Sequence, residues 1–135
     1  MIDRIRENAT KLNKILDAIK LLDETDLTHL YESHNLHVQA MELTGELMSD
    51  ALYMKDTAYN ERKTKEAEHM LADDSGTIAE RQAKAEIAVK EYREREAQGN
   101  YTYTRYRSMY KSLDHKLFDI KAKRSAMERE LQRGD

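Results

Sequence analysis

The sequence predicts an all-α protein, an antiparallel coiled-coil helical hairpin whose N-terminal helix completes a three-helix bundle at one end. Three observations carry that reading. One stripe recurs every three then four residues through Ile78, Gln82, Ala85, Val89, Tyr92, Glu96, Gly99, Tyr103, Tyr106, Tyr110, Leu113, Leu117, Ile120, Arg124, Met127 and Leu131. That period keeps one line of a helix turned toward a partner, and no strand can use it. The chain has no Pro, with 36% charged and 39% hydrophobic residues, the make-up of long exposed helices and not of a thick globular core. Helix-breaking clusters fall at Asp23–Asp26 and Asp73–Thr77, so the 135 residues read as one domain of three helical segments.

The first segment, about residues 2–22, places Ile2, Ile5, Ala9, Leu12, Leu16 and Ile19 at three/four spacing, and Ile15 and Leu22 widen the stripe. A helix touching two neighbours needs that width. In the turn that follows, Thr25 or Asp26 can accept from the free amides of the next helix. The second segment, about 26–72, carries the seam Leu27, Tyr31, His34, Val38, Met41, Gly45, Met48 and Leu52, which turns polar through Lys55, Tyr59, Arg62, Glu66 and His69. Leu30, Leu43, Leu47, Ala51 and Met54 form a second stripe on an adjacent face. In Asp73-Asp74-Ser75-Gly76-Thr77, Gly76 can take the positive φ of a helix end, and Thr77 with Glu80 makes a capping box for the next helix.

The third segment, about 77–132, holds the long stripe and would reach roughly 80 Å at 1.5 Å per residue. Folding back at Gly76 sets Gly45 near Tyr103 and Tyr106, and Gly99 near Met48 and Leu52. Small groups then meet large ones, which offsets the cost of about 1 kcal/mol for a mid-helix glycine. Residues of about 53–98 form a two-helix coiled-coil arm. The rival arrangement breaks the third segment at Gly99-Asn100 and yields four shorter helices.

Bulk properties narrow the function. A net charge of -3 and a pI near 6.0 argue against a surface that grips nucleic acid all round. With no cysteine there is no disulfide, thiolate metal site or cysteine nucleophile. No apolar run approaches the roughly 18 residues of a membrane span, and Met1-Ile2-Asp3-Arg4-Ile5-Arg6 is too charged for a signal peptide. A soluble cytoplasmic protein is expected. Four glycines and no predicted strands leave nowhere to build a phosphate loop or a nucleophile elbow, so a non-enzymatic protein without cofactor is expected.

Candidate binding residues fall in three groups. Tyr101, Tyr103, Tyr106 and Tyr110 interleave with Arg105, Arg107 and Lys111, the aromatic and cationic mixture of single-stranded nucleic-acid sites. Since Tyr103, Tyr106 and Tyr110 sit on the seam, burial is the stronger reading for them, leaving Tyr101, Arg105, Arg107 and Lys111. His34, His37 and His115 come close under the same fold-back, although a hydrogen-bonded histidine is commoner than a metal ligand. Glu66 and His69 form one Glu-x-x-His pair where a di-iron bundle needs two. Arg62 and Glu66 face the seam near Ala83 to Ile87, and Glu96 faces it near Tyr53. Charge there either specifies a partner or leaves the arm loosely paired and solvated.

The pattern Ala83-Lys84-Ala85-Glu86, Tyr92, Tyr106-x-x-x-Tyr110-Lys111-x-Leu113, Ile120-Lys121 and Ala126-Met127-Glu128-x-Glu130-Leu131 resembles a loose group of small helical coiled-coil accessory proteins of tailed phages and prophages. The resemblance implies a phage accessory protein, located in the host cytoplasm, that binds a host or phage protein or DNA. It carries over no catalytic residue. Together these readings favour a protein–protein interaction module, for instance an inhibitor of a host system, acting by coiled-coil docking. A homodimer would bury Leu43, Leu47, Ala51 and Met54. The alternative is a single-stranded nucleic-acid-binding protein using the belt 101–111.

Overall fold

A computed structural model describes residues 1–72 and 76–134, which form four α-helices and no strand. These are α1 (Ile2–Lys20), α2 (Leu27–Ala72), α3 (Ile78–Ala88) and α4 (Lys90–Gly134). The all-α helical bundle class therefore holds. No helix among the described residues is long and apolar enough to cross a membrane.

Local chemistry explains each boundary. After α1, the Asp23 carboxylate accepts from the Thr25 amide at 2.9 Å and the Thr25 hydroxyl at 2.7 Å. Both bonds favour its charged form and hold it below the ordinary carboxylate range. Asp26 caps α2, accepting from the amides of Thr28 at 2.8 Å and His29 at 3.4 Å. Of the second predicted breaker, Asp73, Asp74 and Ser75 lie outside the described residues. Gly76 has φ 85°, the left-handed conformation that favours glycine. Thr77 caps α3 by accepting from the Glu80 amide at 3.2 Å.

The third segment is two helices and not one. It parts at Val89, with φ −102° and ψ 7°, and α4 runs unbroken through Gly99-Asn100. Backbone bonding crosses the step, from the Val89 amide to Ala85 at 3.1 Å and from Arg93 to the Val89 carbonyl at 3.1 Å. Val89 is fully buried, so the break is fixed by packing.

The chain divides into two compact units, one of Met1–Met48 with the residues from Arg105 onward, the other of Ser49–Thr104. Unit 1 combines α1 with the first part of α2 and the last part of α4. Its core joins Leu12, Ala40, Leu47, Tyr106 and Leu113, ringed by Ile5, Ile15, Leu16, Met41, Leu43, Met48 and Met109. Asn8 donates from α1 to Glu46 on α2 at 3.1 Å. Unit 2 holds the rest of α2, all of α3 and the start of α4. Its buried residues are small, including Ala51, Ala58 and Ala85, together with Val89 and Arg62.

Up to Ala51 the line that α2 buries follows the second stripe, through Leu30, Leu47 and Ala51, and not the seam of Tyr31, Val38 and Leu52, whereas Arg62 lies on the seam. The deep positions are Leu30, Ser33, His37, Ala40, Thr44, Leu47, Ala51, Ala58 and Arg62, whereas Tyr31, Val38 and Leu52 are exposed at the flank. Small and hydrogen-bonded polar residues fit closest to a neighbouring helix. The Thr44 hydroxyl donates to the Ala40 carbonyl at 2.6 Å, which lets it sit fully buried. The rotation corrects two expectations. A Cβ at Gly45 would meet nothing within 4 Å, so Gly45 accommodates no tyrosine. Leu47 and Ala51 are fully buried, with Leu43 and Met54 partly so, in the single chain. No second copy is therefore needed to cover Leu47 and Ala51.

Candidate functional site

In unit 2, sequence reasoning placed Arg62 and Glu66 opposite Ala83–Ile87 and Glu96 opposite Tyr53. Arg62 and Glu66 do line a groove with Ala85 and Glu86, and Glu96, expected opposite Tyr53, joins them there through Arg62. Arg62, 8% exposed, donates through Nε to Glu96 Oε2 at 2.9 Å and through Nη1 to Glu66 Oε1 at 3.0 Å. Arg93 extends the chain of charges, donating to Glu66 at 3.3 Å and to Glu86 at 2.8 Å. The Arg62 guanidinium also lies 5.2 Å from the Tyr59 ring centre. The Glu96 hydrogen bond, with help from Glu66, holds Arg62 charged above its ordinary range despite burial.

Why these helices approach so closely follows from Gly99. A Cβ there would lie 3.0 Å from the backbone N and Cα of Lys55. Glycine is needed at this approach, and its neighbour is Lys55, one helical turn beyond the expected Leu52 and two beyond Met48. Beside the charges lies a groove of about 380 Å³ lined by Arg62, Lys63, Glu66, Met70, Gln82, Ala85, Glu86 and Arg93. Its Arg and Glu partners are matched within the chain. Removing Arg62 would leave Glu66 and Glu96, both partly buried, without the donor they share.

Unit 1 presents a different surface. Phe118, the one Phe of the chain, is 74% exposed on α4. A hollow of about 410 Å³ beside it is lined by Asp114, His115, Leu117 and Lys121. Phe118 follows the seam residue Leu117, so a search for seam positions passes over it. Seven-residue spacing from Lys111 is the signal that could have found it. Arg93 and Glu86 were missed as well, because a salt-bridge partner one helix away has no sequence signature.

Of the tyrosine belt, Tyr101 is 68% exposed and belongs to unit 2. Arg105, Arg107 and Lys111 are exposed on unit 1. Tyr106 is buried, and the Arg105 guanidinium lies 5.9 Å from its ring centre. Tyr103 is half-buried and Tyr110 lies at the rim.

The three histidines are not gathered. His34 Nδ1 is 2.7 Å from an Arg124 guanidinium nitrogen. Arginine can only donate, so Nδ1 accepts and the ring is neutral. Burial, then Arg124, Lys121 and His37, push the His34 pKa down. His37 is buried with Nδ1 2.7 Å from the Ser33 carbonyl, which can only accept, so here Nδ1 carries the proton. His115 is exposed. Among the described residues no group of three or more His, Asp and Glu could hold a metal ion. The Glu-x-x-His pair is likewise taken apart: Glu66 serves Arg62 and Arg93, and His69 is exposed.

The helix contacts of unit 1 end in a further polar cluster. Tyr31 donates to Glu128, Arg124 lies 3.5 Å from that carboxylate and stacks 5.0 Å from the Tyr31 ring centre, and Lys123 bonds Glu24. No protein-family model, no curated protein and no solved structure matches the chain.

Proposed function

We propose that the protein is a non-enzymatic helical interaction module that docks a partner protein through the outer face of α4 in unit 1. The observation that carries this reading is Phe118. The large residues of α4 at Tyr106, Leu113, Leu117 and Ile120 are buried in unit 1, and Phe118 is more exposed than Leu131 and Tyr110, the other large residues of α4 that turn out there. A phenyl ring left in water forgoes about 1.5–3 kcal/mol of burial, which a partner can recover. Aromatic anchors beside a hollow are typical centres of binding energy. A phage accessory role, which the resemblance of the C-terminal segment implies, belongs to the same proposal, with a host or phage protein as the partner.

Photo-cross-linking tests it. A benzophenone amino acid is placed at position 118 in the full chain and, as control, at exposed Glu91. The expected result is a discrete protein adduct from position 118 that survives nuclease and is absent from the control. A nuclease-sensitive adduct would support the nucleic-acid alternative. The absence of any adduct specific to 118 would overturn docking at this face.

A further inference from the structure

Resting on that docking reading, we infer that the occupant of the α4 face is an acidic amphipathic helix, with an apolar residue on Phe118 and carboxylates on the cations around it. At 100° per residue, Arg107, Lys111, Phe118 and Arg129 fall within about 40° of one another around α4. Lys121 flanks this stripe and lines the hollow beside Phe118. Asp114 is the one acid on the stripe, while Asp119 and Glu130 lie about 100° or more away.

Two observations make the stripe a receiver of negative charge. Among the described residues, Arg107, Lys111 and Lys121 make no ion pair, whereas Lys123 is bonded to Glu24 and Arg124 is held by His34 and Glu128. From residue 105 onward there are nine Lys and Arg against five Asp and Glu, while residues 1–104 carry fourteen against twenty-one. The acidic balance of the chain thus conceals a basic segment in which Arg107, Lys111 and Lys121 have no acidic partner among the described residues. Complementary charge on a partner would set its orientation and speed its encounter.

The order of the residues favours a helix over a polynucleotide. Lys111 and Arg129 flank Phe118 seven residues before and eleven residues after, roughly 10 and 16 Å along the axis. A docking helix repeats its anchors on that scale. A phosphate backbone would instead run over Asp114, between Lys111 and Phe118 and at the hollow itself.

The test uses the full chain and labelled synthetic helical peptides with one apolar face. Three peptides differ only in their flanking charges, which are Glu, Gln or Lys, and labelled oligothymidine is the fourth probe. The Glu peptide is expected to bind, to weaken about tenfold or more with Phe118→Ala, and to weaken similarly with Lys111→Glu/Arg129→Glu. The charge-reversed variant should in turn gain binding to the Lys peptide, a rescue that misfolding cannot imitate. Equal, Phe118-dependent binding of all three peptides would overturn the acidic partner and leave docking intact. Glu-peptide binding that ignores Phe118→Ala would overturn the site. Binding of oligothymidine alone, together with a nuclease-sensitive cross-link, would overturn both readings. If no probe binds, the acidic-helix proposal falls, and the position-118 cross-link decides docking separately.

Discussion

Both units draw on α2 and α4, and they fill their interiors in opposite ways. Unit 1 packs Leu12, Leu30, Leu47, Leu113 and Ile120, all nearly or fully buried, around a three-helix core. Unit 2 buries Ala51, Ala58, Ala85 and Val89, lets two backbones approach at Gly99, and seats Arg62 between Glu66 and Glu96. Large apolar groups supply free energy in proportion to the area they remove from water. Small ones supply little, and a partly buried ion pair roughly breaks even against an apolar substitute of its shape. The ion pair does, however, penalise every alternative pairing that leaves a charge alone. Unit 1 is therefore built for stability, and unit 2 for a defined alignment of its helices.

The largest effect expected from this contrast is in unit 1. Leu47→Ala should cost about 2–5 kcal/mol in urea unfolding, because it opens a cavity in the main cluster. Amide exchange should show protection lost first in unit 1, and loss confined to unit 2 would break the comparison. In unit 2, Arg62→Ala should cost about 1.5–3 kcal/mol, since two carboxylates lose a charged donor. Replacing the group together, as Arg62→Met with Glu66→Gln and Glu96→Leu, should recover most of that loss. A triple variant no better than Arg62→Ala would mean that the ions stabilise in their own right.

The glycines sharpen the contrast through the sign of their effect. Gly99→Ala forces a Cβ against the Lys55 backbone and should destabilise by about 1–3 kcal/mol. Gly45→Ala meets open space and should stabilise by up to about 1 kcal/mol through helix propensity. Thermal melts of the pair check both. The mildest effect is that of pH. The folded pKa of His34 is depressed, so its stabilising contribution is complete above the ordinary histidine value of about 6.5 and is lost as pH falls from there toward the folded value. Unfolding free energy should decline from about pH 7 to pH 5, and His34→Gln should flatten that slope.

Much of this was legible in the sequence, and the failures share a cause. The helices, the cap at Thr77 and the seam from Ala85 to Met127 follow from periodicity and turn chemistry. On α2 the large residues mark one seam, yet the innermost line includes Ser33, His37, Ala40 and Thr44, whose burial depends on hydrogen bonds and small size. In unit 2 a shift of register along the helices, with Arg62 meeting Glu96, Glu66 meeting Arg93 and Gly99 meeting Lys55, displaced the expected pairings. The break at Val89 has no glycine or proline to announce it. Phe118 escaped because it lies one residue off the seam, on the face that the periodicity argument discards.

The polar bonds between α2 and α4 also set a timetable. In unit 2 the bonds between α2 and α4 join residues 27 and 34 positions apart in the chain. In unit 1 the bonds between the same two helices join residues 90 and 97 apart. Closing the longer loops carries an extra entropic cost of about 1 kcal/mol, and short-range pairings form sooner. A refolding chain should therefore align α2 and α4 near Arg62 and Gly99 before Leu12 and Leu113 meet. Pulsed amide exchange would then record protection appearing first in 49–104, and the reverse order would refute it. On this expectation the less stable part of the molecule is assembled first and brings the distant apolar partners of the other within reach.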